Sequence, residues 1–495
     1  MYLKYIVFLL FLQRMDFHAM AEVPVFLQVH KMETNTMKRK YILPLVILAA
    51  LAAVLFFGVR TRSKAAAIKL SQTSEDAVVY GANGWEESYS VSDYGILYAK
   101  NNVVRYYDLD ADETYALCDK ANCLHLSNKC AAWYRDWTAV NGIAYYQDGI
   151  CLFKRNYDRN AYELIRMDVT GKNQKVIARL DIGDWKSGSW YLSSLGDIYY
   201  NAGRAVVEAN YTWVEGEGES SQTKNCRQYL LIDMGDGAVT EVNEKAADST
   251  VYRLLGISGD ALFFMKTVPE IEELSEQEFE EAYASGAFRG KIHAEDPVER
   301  YLEYQGKWYP SHSNQKDVYI EYKIKESRET ILEETPSLMT FDEDGYNTGT
   351  LSKYLVSGNF GQSYLVSEPD WDNENEAPFL WDLKKNQKTP LFTIEHGGTL
   401  AWETGSLALG IYDESKILYC QYTGETTADI LEYDLKTGAS RELFEDVRNI
   451  SFRIINVTEE FFIGKIYTDT GYDVYKIRRE DYFAGNLDKV VKLRL

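Results

Sequence analysis

The sequence predicts an all-β fold, a β-propeller of seven four-stranded blades, with six or eight blades also compatible with the pattern. Three observations lead there. The first is a recurring hairpin, an apolar strand that ends at an Asp and is followed by a turn and a second strand. Copies are RYYDLDADETYAL (Asp108), LIRMDVTGKNQKVI (Asp168), LLIDMGDGAVTEV (Asp233), LMTFDEDGYNTGTL (Asp342), FLWDLKKNQKTPLF (Asp382) and LEYDLKTGASRELF (Asp434), with a degenerate seventh near Arg478. Successive Asp residues lie 60, 65, 109, 40 and 52 positions apart, which suits a blade of about 40–50 residues with insertions. The second is another apolar strand ahead of the hairpin, often opened by glycine: GILYAK at Gly95, GIAYYQ at Gly142, GDIYYN at Gly196 and GDALFFM at Gly259. The third is composition. The 495 residues hold 38 Tyr, 20 Phe and 10 Trp but only 9 Pro and 33 Gly, strand vocabulary that excludes a disordered or collagen-like chain.

Taken from the N-terminus, residues 1–36 read as a mis-called start or a disordered leader. Residues 37–62 read as a signal anchor. Within it Tyr41 to Val59 (YILPLVILAALAAVLFFGV) carries no charge, and a helix of that length spans about 28 Å, the thickness of a bilayer core. Lys38, Arg39 and Lys40 precede the span, and Arg60, Arg62 and Lys64 follow it, so flanking charge leaves the orientation open. A cleaved signal peptide, with Ala65, Ala66 and Ala67 near the cut, is the alternative. Residues 63–77 form a polar stalk. Residues 1–64 hold 9 basic and 3 acidic residues, which leaves 44 basic and 72 acidic in the remainder, a net −28 against −22 for the whole chain. So acidic a body repels a phosphate backbone and excludes nucleic acid as a partner. A basic leader before an acidic body predicts a single-pass cell-membrane protein with its C-terminal domain outside.

Residues 78–495 make the propeller. The recurring Asp reads as the head of a β-turn that accepts hydrogen bonds from its own backbone. Ring closure is expected to pair the segment near Val78–Tyr80 with the C-terminal blade, because a free edge strand is a liability. The interval of 109 contains an insertion, 266–336, in which Leu274, Ser275, Glu278 and Phe279 fit a capped helix start, with Ser275 as N-cap and Glu278 reaching back to it. A smaller insertion runs from about Asn201 to Asn225, and Cys226 beside it could be exposed.

Three of the six cysteines crowd into ALCDKANCLHLSNKC: Cys118, Cys123 and Cys130, with His125 among them. Three thiolates and an imidazole at this density could form a structural zinc site. Outside a cell, two of the cysteines could instead form a disulfide, and reduced, unpaired thiols are the third reading. A Cys3His set leaves no open position for a substrate, so it implies no catalysis.

The anchor, the glycine-opened strands with their Asp hairpins and the Cys/His cluster together resemble the membrane-attached propeller surface proteins of gut-dwelling Firmicutes, and more broadly TolB-like propeller domains. That resemblance implies an extracytoplasmic propeller that binds a ligand or partner. The expected function is recognition of a protein, peptide or glycan, with no catalytic set identified. The alternative is a polysaccharide-acting hydrolase or lyase, which needs a carboxylate pair in the propeller channel.

Overall fold

The computed structural model describes residues 78–495, apart from most of 271–314 and 395–415 and short stretches at other connections, such as 85–87, 121–122, 216–221, 246–251, 342–346 and 371–374. The described residues belong to one compact unit, Lys69–Leu495. The predicted leader, anchor and stalk (1–77) lie outside them. Among the described residues no helix is long and apolar enough to cross a membrane.

Seven antiparallel meanders follow one another along the chain, each of four strands taken in sequence order. Blade 1 is Tyr89–Val91, Gly95–Lys100, Val103–Asp108 and Glu113–Ala116; blade 2 is Val140–Tyr146, Gly149–Asn156, Ala161–Met167 and Lys175–Asp181. Blade 3 is Ser189–Asn201, Arg204–Glu215, Gln222–Asp233 and Val239–Glu241; blade 4 is Tyr252–Ser258, Ala261–Pro269, Gln315–Lys323 and Arg328–Pro336. Blade 5 is Leu355–Phe360, Ser363–Asp370, Asn375–Asp382 and Gln387–Pro390; blade 6 is Thr399–Leu400, Lys416–Tyr422, Thr427–Asp434 and Ala439–Arg448. Blade 7 is Phe452–Val457, Phe461–Thr468, Gly471–Arg478 and Val491–Lys492.

Paired aromatics such as Tyr199–Tyr200 and Phe263–Phe264 follow from this architecture. Successive strand residues point to opposite faces, and here both faces are covered by a neighbouring blade. Tyr200 and Val207 enter the core shared with blade 2, whereas Tyr199 and Val206 enter the core shared with blade 4. Phe264 and Ile320 likewise face blade 3, while Phe263 and Tyr319 face blade 5. Strands buried on both faces lose the apolar/polar alternation of a half-exposed sheet and read as continuous apolar runs.

The ring closes by packing. Ile96, Tyr98, Tyr107 and Leu109 of blade 1 share a core with Phe461, Ile463 and Val474 of blade 7. Across the same seam the buried Lys476 pairs with Asp112 at 2.6 Å and donates to the Leu109 carbonyl. No strand is exchanged, since blade 7 takes its fourth strand from the C-terminus and blade 1 its first from Tyr89–Val91. The expected pairing of Val78–Tyr80 with the C-terminal blade is therefore corrected. Val79–Tyr80 pairs with Tyr199 and Tyr200, on the free edge of the first strand of blade 3. Ala82 then bridges Ile143 on the first strand of blade 2. First strands of neighbouring blades approach one another, which places this segment at the ring axis.

Close backbone approach explains the glycines there. A Cβ on Gly81 would stand 2.6 Å from the Gly142 Cα, and Gly142 itself has φ +63°. Gly81→Val is expected to prise this segment off the inner strands and cost about 1–3 kcal/mol, read as a fall in the thermal midpoint of the full-length protein.

Four other expectations change. The stretch 266–336 contains the third and fourth strands of blade 4, so the excursion occupies only the connection between Pro269 and Gln315. The turn of blade 4, near Ser327, lacks the Asp of the other copies; the strands Leu338–Phe341 and Asn347–Leu351 form a separate two-stranded sheet, and Asp342 between them in sequence lies outside the described residues. The stretch Asn201 to Asn225 is an elongation of the second and third strands of blade 3, and it buries Cys226 against the blade 2–3 core. The glycine-opened strands also occupy different places: Gly142 and Gly196 lie in first strands, Gly95 in a second strand.

The predicted turn and cap chemistry is present. Asp108 Oδ1 accepts from the amides of Asp110 and Ala111 at 3.0 and 2.8 Å, and Asp434 Oδ1 from those of Lys436 and Thr437 at 2.8 and 3.0 Å. Ser275 and Glu278 form the reciprocal capping box, amide to Glu278 Oε2 at 2.8 Å and amide to Ser275 Oγ at 3.3 Å. Phe279 lies outside the described residues.

Candidate metal centre and the loop-bearing face

In an antiparallel meander, connections alternate between the two ends of the strands. Turns from first to second and from third to fourth strand fall on one face of the ring; those from second to third, and from one blade to the next, fall on the other. Contacts agree with this assignment. On the first face the Glu459 amide donates to Asp93 Oδ1 at 3.1 Å and the Ile324 amide to the Asp260 carbonyl at 2.9 Å. On the second, the Tyr134 amide donates to the Asn102 carbonyl at 3.0 Å and the Ile182 amide to the Asn160 carbonyl at 2.9 Å.

The elaborations are unevenly shared. The second face holds the cysteine-bearing connection from blade 1 to blade 2, the long hairpin of blade 3, the strand ends Pro269 and Gln315 between which the excursion of blade 4 runs, and the two-stranded hairpin Leu338–Leu351. Trp190 and Trp213 meet at 5.5 Å, edge to face, where the blade 3 strands reach toward that face. The first face carries mostly the tight Asp turns, together with the helix Arg479–Phe483; residues 401–415 lie outside the described residues.

The four residues singled out in the sequence come together on the loop-bearing face. One ligand atom from each of Cys118, Cys123, His125 and Cys130 lies within 4.8 Å of all the others. Backbone hydrogen bonds shape the loop: Cys118 N to Ala116 O at 2.7 Å, Cys130 N to Ser127 O at 3.0 Å and Trp133 N to Cys130 O at 3.2 Å. His125 adopts φ +52°, which turns its ring inward, and its Nδ1 stands 3.2 Å from Cys130 Sγ. The flanking Leu124 and Leu126 consequently point outward, 79% and 76% exposed.

This arrangement can hold a metal ion. Tetrahedral thiolate ligation with metal–sulfur bonds of about 2.3 Å implies ligand separations of about 3.8 Å, so the observed cluster needs only a small contraction. Soft thiolates with an imidazole suit zinc, iron or copper(I) better than magnesium or calcium. The three cysteines are free of disulfide bonds in the structure.

Burial pushes the Cys118 thiol up to about 12, whereas an amide hydrogen bond from His125 holds the Cys123 thiol below the ordinary value. Cys151, fully buried between blades 2 and 3, is also raised to about 12. In metal-free native protein at pH 8, iodoacetamide is expected to modify Cys123 first and Cys151 only after unfolding, as mapped by peptide mass spectrometry.

A carboxylate pair near the ring axis escaped the sequence reading. Asp197, on the first strand of blade 3, accepts from the Tyr80 and Tyr199 hydroxyls at 3.4 and 3.5 Å. Burial, followed by the charge of Glu208, raises its carboxyl pKa. Glu208 is itself engaged by Arg227 at 3.3 Å and by the Tyr229 hydroxyl at 3.1 Å. No sequence signal distinguishes Asp197 from the many surface carboxylates, because Tyr80 reaches it only through the unexpected pairing at the axis.

No protein family matches this chain, and no curated protein does. Among solved structures it is similar to the acylaminoacyl peptidase of Pyrococcus horikoshii, at 12% identity over 72% of this chain with a TM-score of 0.34, but it spans only 44% of that protein. It is also similar to an oligogalacturonate lyase in complex with manganese (8% identity, 82% of this chain and 92% of that one, TM-score 0.39). A third is TolB from Acinetobacter baumannii (8% identity, 76% and 65%, TM-score 0.27). At these levels none of them carries a function across to this chain.

Proposed function

We propose that this chain is a membrane-anchored, extracytoplasmic recognition propeller that binds a protein, peptide or glycan through its loop-bearing face. The observation that supports it most is the concentration of elaborated connections on one face of an otherwise regular ring. Blades supply a rigid frame, and variable connections on a rigid frame are where binding residues concentrate. The half-buried Trp190–Trp213 pair and the exposed Leu124 and Leu126 give that face apolar and aromatic contact groups of the kind that anchor partners. The Tyr41–Val59 span supplies the anchor, and the acidic body stands outside the cell. The cluster of Cys118, Cys123, His125 and Cys130 takes zinc, which ties the connection between blades 1 and 2 to the rim of blade 1. The reading asks for no catalytic group.

Full-length protein in detergent, screened against cell-wall glycan, oligosaccharide and peptide panels, is expected to bind one class saturably. Deleting residues 271–314 should weaken that binding at least tenfold while leaving the thermal midpoint within a few degrees. Binding that is unchanged by the deletion and by substitutions of Leu124 and Trp213 would move the site off this face, and turnover of any panel member would replace recognition by catalysis.

A further inference from the structure

The zinc reading has an electrostatic consequence that two residues outside the cluster meet. Three thiolates and a neutral imidazole around a divalent ion leave a net charge of −1 on the centre. Such a charge, half enclosed by protein, must be balanced nearby or it costs free energy. Two cations lie on strands of the blades that flank the cysteine-bearing connection. Arg105 lies on the third strand of blade 1, paired across to Ala116, whose carbonyl receives the Cys118 amide. Its Nε is buried without a hydrogen-bond partner among the described residues. Lys154, on the second strand of blade 2, donates to the Trp133 carbonyl at 3.2 Å, and the Trp133 amide bonds in turn to the Cys130 carbonyl. Arg105 thus approaches from the blade 1 side and Lys154 from the blade 2 side.

An enclosed guanidinium nitrogen with no acceptor is costly in a finished structure. It becomes reasonable if the charge it faces is the bound centre. We propose that Arg105 and Lys154 are positioning residues of an anionic zinc tri-thiolate centre, balancing its charge from the two blades that the loop connects. The inference rests on the zinc reading. It adds that metal binding draws on both blades, so that the loop acts as a charge-locked clasp across the blade 1–2 seam.

Full-length protein, purified metal-free and titrated with zinc against a chromophoric chelator, separates the two claims. The wild type is expected to bind one zinc. Arg105→Met and Lys154→Met should each weaken zinc by about 10–100-fold, the range seen when partners outside the ligand set are removed. Arg105→Lys and Lys154→Arg should recover most of the loss. Cobalt substitution gives a second readout: the thiolate-to-cobalt charge-transfer band should shift in the methionine variants and return in the conservative ones, which a packing role would not produce. Failure of the wild type to bind zinc removes the underlying reading. One zinc bound with unchanged affinity and an unshifted cobalt band in both methionine variants overturns the inference while leaving the zinc site standing. Should a methionine variant not fold, as judged by its far-ultraviolet circular dichroism, Arg105→Gln and Lys154→Gln carry the same comparison.

Discussion

Trp381→Ala is expected to destabilise the protein by about 3–5 kcal/mol, the range for deleting a large aromatic side chain from a packed core. Trp381 is fully buried on the third strand of blade 5, facing blade 4. Its ring meets Phe263 at 5.3 Å and Tyr354 at 5.5 Å, both edge to face, and Tyr319 at 5.8 Å. Its Nε1 donates to Asn386 Oδ1 at 3.0 Å, an acceptor on the turn that follows. Alanine leaves a cavity between two rigid sheets that cannot collapse into it, and it orphans the Asn386 oxygen. A urea titration should show a lower midpoint. A change below about 1 kcal/mol would mean that the blade 4–5 seam is not held by this cluster.

Lys476→Glu is expected to cost a comparable amount, about 3–5 kcal/mol, because it turns a compensated buried charge into an uncompensated one. Lys476 is 7% exposed at the seam that closes the ring, between Asp112 and the Leu109 carbonyl. A carboxylate there faces another carboxylate and a carbonyl oxygen. Its folded-state pKa is then raised above the unfolded value, so the loss is fully expressed at neutral pH and shrinks as pH falls through the raised pKa. The wild type should behave in the opposite sense. Lys476 holds the Asp112 carboxyl below its ordinary value, so the small stability that this pair contributes is present above the unfolded-state pKa and is lost as pH falls through the depressed one. More than half of Asp112 is exposed, so screening limits that contribution to well under the effect of the charge reversal. Thermal midpoints of both proteins between pH 7 and about pH 2.5, which reaches below the unfolded-state carboxylate pKa, test the crossed dependence; parallel curves would contradict it.

Much of the ring was legible in the sequence because strand period and turn chemistry are local. Asp108, Asp168, Asp233, Asp382 and Asp434 mark blade hairpins by accepting hydrogen bonds from their own turns, a signal confined to a few residues. The sequence around Asp342 carries the same local signal, but the strands that flank it form a two-stranded sheet apart from the blades. Local chemistry reports a hairpin without reporting which sheet owns it. The turn near Ser327 shows the converse, a blade hairpin that reaches positive φ at Ser327 (+47°) with no Asp at its head. Ring closure was misread for a related reason. Edge protection is a global requirement, and packing around Tyr98, Phe461 and Lys476 satisfies it here without exchanging a strand.

The Cys/His cluster was visible because its four residues are close in sequence, yet spacing alone left metal, disulfide and free thiols open. What the fold adds is the backbone: His125 in a left-handed conformation brings its ring to Cys130, and middle strands of blades 1 and 2 carry Arg105 and Lys154 on either side of the loop. Neither cation could be picked from sequence, since each lies in a strand and its place beside the loop is set by sheet register. The loop-bearing face was equally hidden, because the face on which a connection falls depends on counting strands correctly through blade 4.

The central claim is that recognition belongs to that face, and site-specific photo-crosslinking on intact cells tests it most directly. A photoreactive residue in place of Leu124, on the metal loop, should give mass-shifted adducts of the full-length chain on irradiation, whether the captured group is protein or glycan. The same residue in place of Lys436, on an Asp turn of the opposite face, should give none. Adducts from Lys436 but not from Leu124 would contradict the account.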